Sequence, residues 1–310
     1  MSLHIAILDT DVPVPTVYAA RGLYSSQFRV LLQSAAARLS QSSSPGAKHV
    51  QIHTSAYDVV GGAYPALDML KTSPSSTTTT TKGTIDALLI TGSAASAYYQ
   101  GAQYQWIAQL QSFLRRVWTD YPAVKMFGSC FGHQIIAQAL LGGTVQVEAC
   151  PMGYEVGIHP ISLNPAFATG TLLGRMLAAG LKSKDGKLRV QLVHGDRVVG
   201  LVEQPWLNIG STQLSPVQGL YYPGRVLTYQ GHFEFDAFVN AETVLEFARR
   251  CAWAEPVVSE YLRRIASCAE DDAELAAAVV VLFLTESAEM HPAVETGLAT
   301  PPDESCHEIS

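Results

Sequence analysis

The stretch Val124-Lys125-Met126-Phe127-Gly128-Ser129-Cys130-Phe131-Gly132-His133-Gln134-Ile135-Ile136-Ala137 decides how the rest of the chain reads. Residues 124–127 form a short buried strand and a helix begins near His133, so a cysteine stands on the turn between them. Glycines lie two before it and two after it. A sharp strand-to-helix turn leaves no room for Cβ atoms on its flanks, which is the layout of a nucleophile elbow. The thiol also meets the positive end of the helix dipole, where it ionises more readily, and the thiolate is the attacking species. The N–H of Phe131, next in the chain, is placed to stabilise an oxyanion. A lone GxCxG also fits a small buried cysteine beside a glycine turn, so the elbow needs a partner.

A thiol nucleophile needs a base, and the base needs a group that fixes its tautomer. About a hundred residues downstream the sequence reads Leu227-Thr228-Tyr229-Gln230-Gly231-His232-Phe233-Glu234-Phe235-Asp236. On an extended segment His232 and Glu234 project to one side, so the carboxylate can hold one ring nitrogen and leave the other for the thiol. His194-Gly195-Asp196 follows a strand at 190–193 and opens a turn that fits either a pocket wall or an ordinary loop. His133 is expected to pack or cap within the elbow helix, and His4, His53, His159 and His291 show no ligand spacing.

Working outward, apolar β-branched runs alternate with helical patterns through the first half, the order of βα units around a mostly parallel sheet. Strands are expected at residues 3–8, 50–60 and 85–90, and helices at 23–39 and 104–118. From 144 to 234 the pattern turns β-rich, with runs at 145–147, 153–161, 188–201 and 224–229. Helical patterns return at 241–252, 257–268 and 272–284. Two stretches have little to bury: 40–48, rich in Ser, and 71–83, with five consecutive threonines from Thr77; both read as solvated loop insertions.

Composition narrows the partners. A net charge of −7 offers no basic field for nucleic acid or anionic lipid, so neither is expected as a partner. The start of the chain lacks the basic and apolar regions of a signal peptide, and the apolar run at 276–284 is far short of the about 20 residues that span a bilayer. Five scattered cysteines without CxxC pairing argue against a disulfide framework or structural zinc and suit a reducing, cytoplasmic compartment.

Taken together, the elbow and the HxE segment resemble the class I glutamine amidotransferase family. Gly128-Ser129-Cys130-Phe131-Gly132-His133-Gln134 matches that family's GxCxGHQ motif at every defined position. Ile90-Thr91-Gly92-Ser93 is similar to its glycine loop, and His194-Gly195-Asp196 to the HGD turn that precedes the base. Two departures stand out: Phe233 replaces the usual proline between histidine and glutamate, and Gly92-Ser93 replaces a double glycine, as in the stand-alone branch that includes γ-glutamyl peptidases.

The resemblance implies an α/β, flavodoxin-like, mostly parallel sheet flanked by helices, with extra C-terminal helices and the site at the carboxyl ends of the strands. It implies a domain over 1–255 with the two loop insertions, a helical extension over 256–285 and a flexible tail over 286–310. It implies Cys130, His232 and Glu234 as catalytic triad, Gly92 and Phe131 as oxyanion donors, and Ser93, Gln134, His194, Gly195 and Asp196 against substrate. No cofactor or metal is required. The implied reaction is hydrolysis of the γ-amide of glutamine or a γ-glutamyl compound through a thioester on Cys130. The rival readings are a glutaminase subunit that supplies ammonia to a separate synthetase partner, an inactive binding or regulatory module, and a chaperone-like stress protein on a related fold.

Overall fold

A computed structural model of the chain describes residues 1–41, 50–72, 83–267 and 271–286. Most of the two Ser/Thr-rich stretches, Cys268, Cys306, His291 and the tail from 287 lie outside these residues.

In the first half, strands alternate with helices as the apolar runs require. The chain runs β1 (Ser2–Asp9), α1 (Pro15–Arg21), α2 (Tyr24–Gln41), β2 (Gln51–Asp58), β3 (Ala87–Ile90), α3 (Gln105–Asp120), β4 (Lys125–Ser129) and α4 (Phe131–Leu141). There follow β5 (Val145–Ala149), β6 (Glu155–Leu163), α5 (Pro165–Ala168), α6 (Leu172–Gly180), β7 (Lys187–His194) and β8 (Asp196–Gly200). Short strands β9 (Leu207–Asn208), β10 (Gly210–Ser211) and β11 (Leu220–Tyr222) lead to β12 (Val226–Tyr229). Three helices end the described chain: α7 (Ala237–Cys251), α8 (Glu255–Ala266) and α9 (Ala273–Thr285).

The main sheet has the order β2-β1-β3-β4-β12-β11-β9. The first five strands are parallel, and β11 and β9 add an antiparallel edge. An order of 2-1-3-4 followed by a late fifth parallel strand is the flavodoxin-like arrangement, whose ligands sit beyond the carboxyl ends of the strands. Smaller antiparallel sheets, β10-β6-β7 and β5-β8, stand beside it.

The central strands are buried on both faces, so their side chains divide by the period of two. Leu3, Ile5 and Ile7 of β1, Leu89 of β3 and Phe127 of β4 face one core with Phe28 and Leu32 of α2. Ala6, Leu8, Leu88, Ile90 and Met126 face the other, with Trp106, Leu110 and Leu114 of α3 and Ile135 and Ile136 of α4.

One outcome differs from the sequence reading. Helices α5 and α6 interrupt the region that reads as β-rich, seated by side-chain caps from Asn164 and Thr171. The helical patterns at 257–268 and 272–284 are α8, which lies on β6, and α9, which packs against α2 and α6. Val279, Val280, Val281, Phe283 and Leu284 of α9 are buried in the first core. Its start is held by buried Asp272, whose carboxylate accepts the N–H groups of Lys182 at 3.0 Å and Arg189 at 2.9 Å. At its other end the Lys125 ammonium donates to the carbonyls of Phe283 and Glu286 at 2.5 and 2.8 Å. Burial lowers the pKa of Lys125 to about 8, so this clamp weakens above that pH.

Truncating Phe283 to Ala is therefore expected to lower unfolding free energy by about 3 to 5 kcal/mol. Phe283 does not line the cleft beside Cys130, so the reactivity of that thiol should hardly change. Urea unfolding, read beside the rate of thiol alkylation in the native protein, checks both.

Candidate active site

Cys130 follows β4 directly and occupies the N-cap position of α4, with φ +50° and ψ −105°. Apart from Ala252 it is the only non-glycine residue at positive φ among the described residues. Such a conformation costs a side-chain-bearing residue on the order of 1–3 kcal/mol and persists only where its surroundings impose it. They do so here. A Cβ on Gly128 would lie 2.5 Å from the Gly132 carbonyl carbon, and one on Gly132 would collide with the carbonyl oxygen of Ile90 on β3. The Cys130 N–H is tied to Tyr229 O of β12 at 2.9 Å, and Cys130 O accepts the first helical bond from Gln134 N–H at 3.1 Å. The elbow is thus packed between two parallel strands, and Cys130 remains 7 % exposed.

His232 reaches this elbow from the chain just beyond β12. The segment 230–235 bends instead of extending, and the His232 N–H donates to Gln191 O on β7 at 2.8 Å. Through this bend the ring Nδ1 lies 2.7 Å from Glu234 Oε1. Phe235 stacks on the imidazole, with ring centroids 4.1 Å apart and planes 15° from parallel. A Cβ built on Gly92 would sit 3.0 Å from His232 Cε1 and 3.6 Å from Cys130 Cβ, so the glycine loop closes over both residues. Burial alone would push the His232 pKa down; the Glu234 carboxylate and the hydrogen-bonded Cys130 outweigh it and raise it to about 10. The imidazole therefore holds a second proton through the neutral range.

A cleft of about 290 Å³ opens beside Cys130. Ser93, Gln134, His194, Gly195 and Asp196 all line it, with Tyr98, Tyr99 and Tyr154 among the remaining walls. Asp196 is the only Asp, Glu, Lys or Arg among the described lining residues, and Tyr98 donates its hydroxyl to Oδ1 of that carboxylate at 3.0 Å. His194 holds the turn from below. Its Nδ1 bonds to Asp196 O at 2.9 Å and its Nε2 faces Glu155 Oε2 at 3.2 Å, a close contact that is not aligned as a hydrogen bond. Burial pushes the Glu155 carboxyl up, but the His194 ring beside it more than offsets that and holds it below its ordinary value.

Sequence reading missed three buried polar residues here. Ser129, within the elbow, donates its hydroxyl to Glu234 Oε1 at 3.0 Å. Gln230 directs its amide at Cys130 Sγ, 3.5 Å away, and accepts from Gln134 Nε2 at 3.0 Å. Thr10, at the end of β1, binds the glycine loop. Each is a polar residue beside an apolar run, and its partner lies in a distant segment that no local pattern reveals. His133 packs within its helix as expected, buried, with Nδ1 on Thr228 Oγ1 at 2.8 Å. Among the described residues no group of three or more His, Cys, Asp or Glu side chains could hold a metal ion, and no helix is long and apolar enough to cross a membrane.

A glutamine amidotransferase-like protein of Schizosaccharomyces pombe is 30 % identical over 286 residues, covering 92 % of this chain and all of the relative. The chain belongs to the glutamine amidotransferase-like family. A γ-glutamyl peptidase of Arabidopsis thaliana is 27 % identical over 160 residues, 51 % of this chain and 57 % of the relative. Among solved structures, a glutamine amidotransferase of Thermotoga maritima superposes with a TM-score of 0.61 at 13 % identity, over 92 % of this chain and 99 % of that one. One from Methylobacillus flagellatus gives 0.55 at 15 %, over 94 % and 98 %. These two share the amidotransferase fold at identities too low to carry more. No family model matches the sequence.

The coupling of His232 to Glu234 is directly measurable. By NMR titration the His232 ring should stay protonated through neutral pH, whereas in Glu234→Gln it should lose its proton at clearly lower pH, because burial is then less opposed. The ring titrates near 6.5 when unfolded and near 10 when folded. Its contribution to stability is therefore complete below 6.5 and is lost as pH rises towards 10. Equal titration in the two proteins would show that the carboxylate does not hold the ring.

Proposed function

We propose that this family member is a cysteine-dependent hydrolase of γ-glutamyl amides. The observation that carries the reading is one imidazole, fixed by Glu234 through Nδ1 and coupled to the thiol at the elbow. With its proton already resting on His232, Cys130 attacks the γ-carbonyl carbon as the thiolate. A tetrahedral oxyanion forms against the N–H groups of Phe131 and Gly92. His232 then gives its proton to the departing nitrogen, the C–N bond breaks and a γ-glutamyl thioester remains. Water, deprotonated by the same ring, attacks the thioester; glutamate leaves and the thiolate with its protonated ring is restored. Glu234 holds the Nδ1 proton throughout, which leaves the other ring nitrogen to exchange protons, and Ser129 keeps Glu234 in place. This chemistry needs a reduced thiol, which accords with a reducing, cytoplasmic setting.

The charge of the cleft supports a γ-glutamyl ligand. An α-ammonium group fits the carboxylate of Asp196, held in turn by Tyr98 and the His194 contact. The likeness to a γ-glutamyl peptidase supports self-sufficient hydrolysis over ammonia supply to a synthetase.

Incubation with the glutamine analogue 6-diazo-5-oxo-L-norleucine should add one adduct by intact mass, mapped to Cys130 and missing in Cys130→Ala. A panel of glutamine and γ-glutamyl dipeptides, assayed for free glutamate, should show turnover without another protein. No adduct and no turnover would contradict the reading. In the same panel Asp196→Asn should raise KM by about tenfold or more and leave kcat within a few-fold, because a charge-assisted contact contributes on the order of 1.5–3 kcal/mol; an unchanged KM would remove Asp196 from ligand recognition.

A further inference from the structure

The loop after β3 spends its N–H groups unevenly. Thr91 N–H goes to Leu8 O at 3.2 Å, Ala94 N–H to Asp11 Oδ2 at 2.8 Å and Ala95 N–H to Ser93 Oγ at 3.1 Å. Between them, no acceptor among the described residues takes the N–H of Gly92 or Ser93. The reason lies on the other side of the same two peptides. Thr10 Oγ1 lies 3.1 Å from Thr91 O and 2.9 Å from Gly92 O, and it also meets Thr91 Oγ1 at 3.0 Å. The Thr10 N–H completes the interlock by donating to Thr91 Oγ1 at 3.0 Å. Both threonines are buried, Thr10 1 % and Thr91 0 % exposed.

In a planar trans peptide the C=O and N–H point in opposite directions. With two successive carbonyls turned towards Thr10, the N–H groups of Gly92 and Ser93 turn away from it. Gly92 itself lies against the Cys130 and His232 side chains. Asp11 anchors the next peptide and prevents the loop from rotating back.

We propose that Thr10 is the positioning residue of the oxyanion hole: its hydroxyl, shared between the carbonyls of Thr91 and Gly92, fixes the direction in which the loop presents its N–H groups to the reacting carbonyl. The proposal rests on the hydrolase reading above. Thr10 touches neither substrate nor thiol in this role; it acts through the peptides of the loop.

The test compares Thr10→Val, which keeps shape and removes the hydroxyl, with Thr10→Ser, which keeps the hydroxyl. Three readouts are taken: kcat and KM on a γ-glutamyl dipeptide, the alkylation rate of Cys130 by iodoacetamide, and the thermal midpoint. Iodoacetamide reacts at a saturated carbon and forms no oxyanion, so it reports the thiol and its base alone. Loss of a direct oxyanion donor costs about 10²–10³ in kcat, and a misdirected donor should cost somewhat less. Thr10→Val is thus expected to lose about 10- to 100-fold in kcat, with KM and the iodoacetamide rate within about twofold, and Thr10→Ser to recover most of the loss. Should the valine variant not fold, Thr10→Ala removes the hydroxyl without adding a methyl and carries the same expectation. A folded variant with parent kcat overturns the proposal, and so does a matching fall in iodoacetamide reactivity, which would place the effect on Cys130 or on the fold. A parent protein that hydrolyses no γ-glutamyl compound overturns the hydrolase reading and this one together; an active parent with an indifferent Thr10→Val overturns this one alone.

Discussion

A backbone collision governs the site: no atom larger than hydrogen fits on Gly128 or Gly132 while β4 turns into α4 between β3 and β12. That constraint forces Cys130 to positive φ and presents its side chain at the carboxyl edge of the sheet. The parallel strand order does the rest. It brings β3 to one side of the elbow, carrying Gly92, and β12 to the other, carrying the segment with His232 and Glu234.

The electrostatics follow from the same placement. An imidazole this deeply buried would ordinarily lose its second proton, yet a carboxylate on one nitrogen and a thiol near the ring reverse that tendency. Phe235 stacks on one face of the ring and Gly92 approaches its edge, so the pair is held by packing as well as by charge. Across the cleft, the buried His194 and Glu155 hold one turn, and that turn presents the Asp196 carboxylate. Two histidine–glutamate pairs thus serve different ends: the first faces the thiol, and the second keeps a charged turn rigid.

Much of this was legible in the sequence because apolar periodicity and glycine placement are local signals. The runs at 3–8, 85–90 and 124–127 became β1, β3 and β4, and His232 and Glu234, two apart in the sequence, meet at 2.7 Å. The parts that were not legible are long-range. Ser129 finds Glu234 105 residues away and Thr10 finds Gly92 82 residues away, and a serine or threonine beside an apolar strand carries no mark of its partner. The helix at 272–284 was visible, but not its place. Only the packed structure shows that its valines complete the core against α2 and α6, while α8 covers β6. Helices α5 and α6 were hidden by their brevity, four and nine residues, between the longer strands β6 and β7.

The family and its fold account for where the residues lie, and the proposed chemistry rests on the covalent step at one sulfur. The most direct test is to quench the protein with acid during turnover of a γ-glutamyl dipeptide and map the modified peptides by mass spectrometry. The account predicts a γ-glutamyl group on the peptide that contains Cys130, lost when Cys130 is replaced by alanine. Turnover with that peptide unmodified at every quench time, or with the acyl group on another residue, would contradict it.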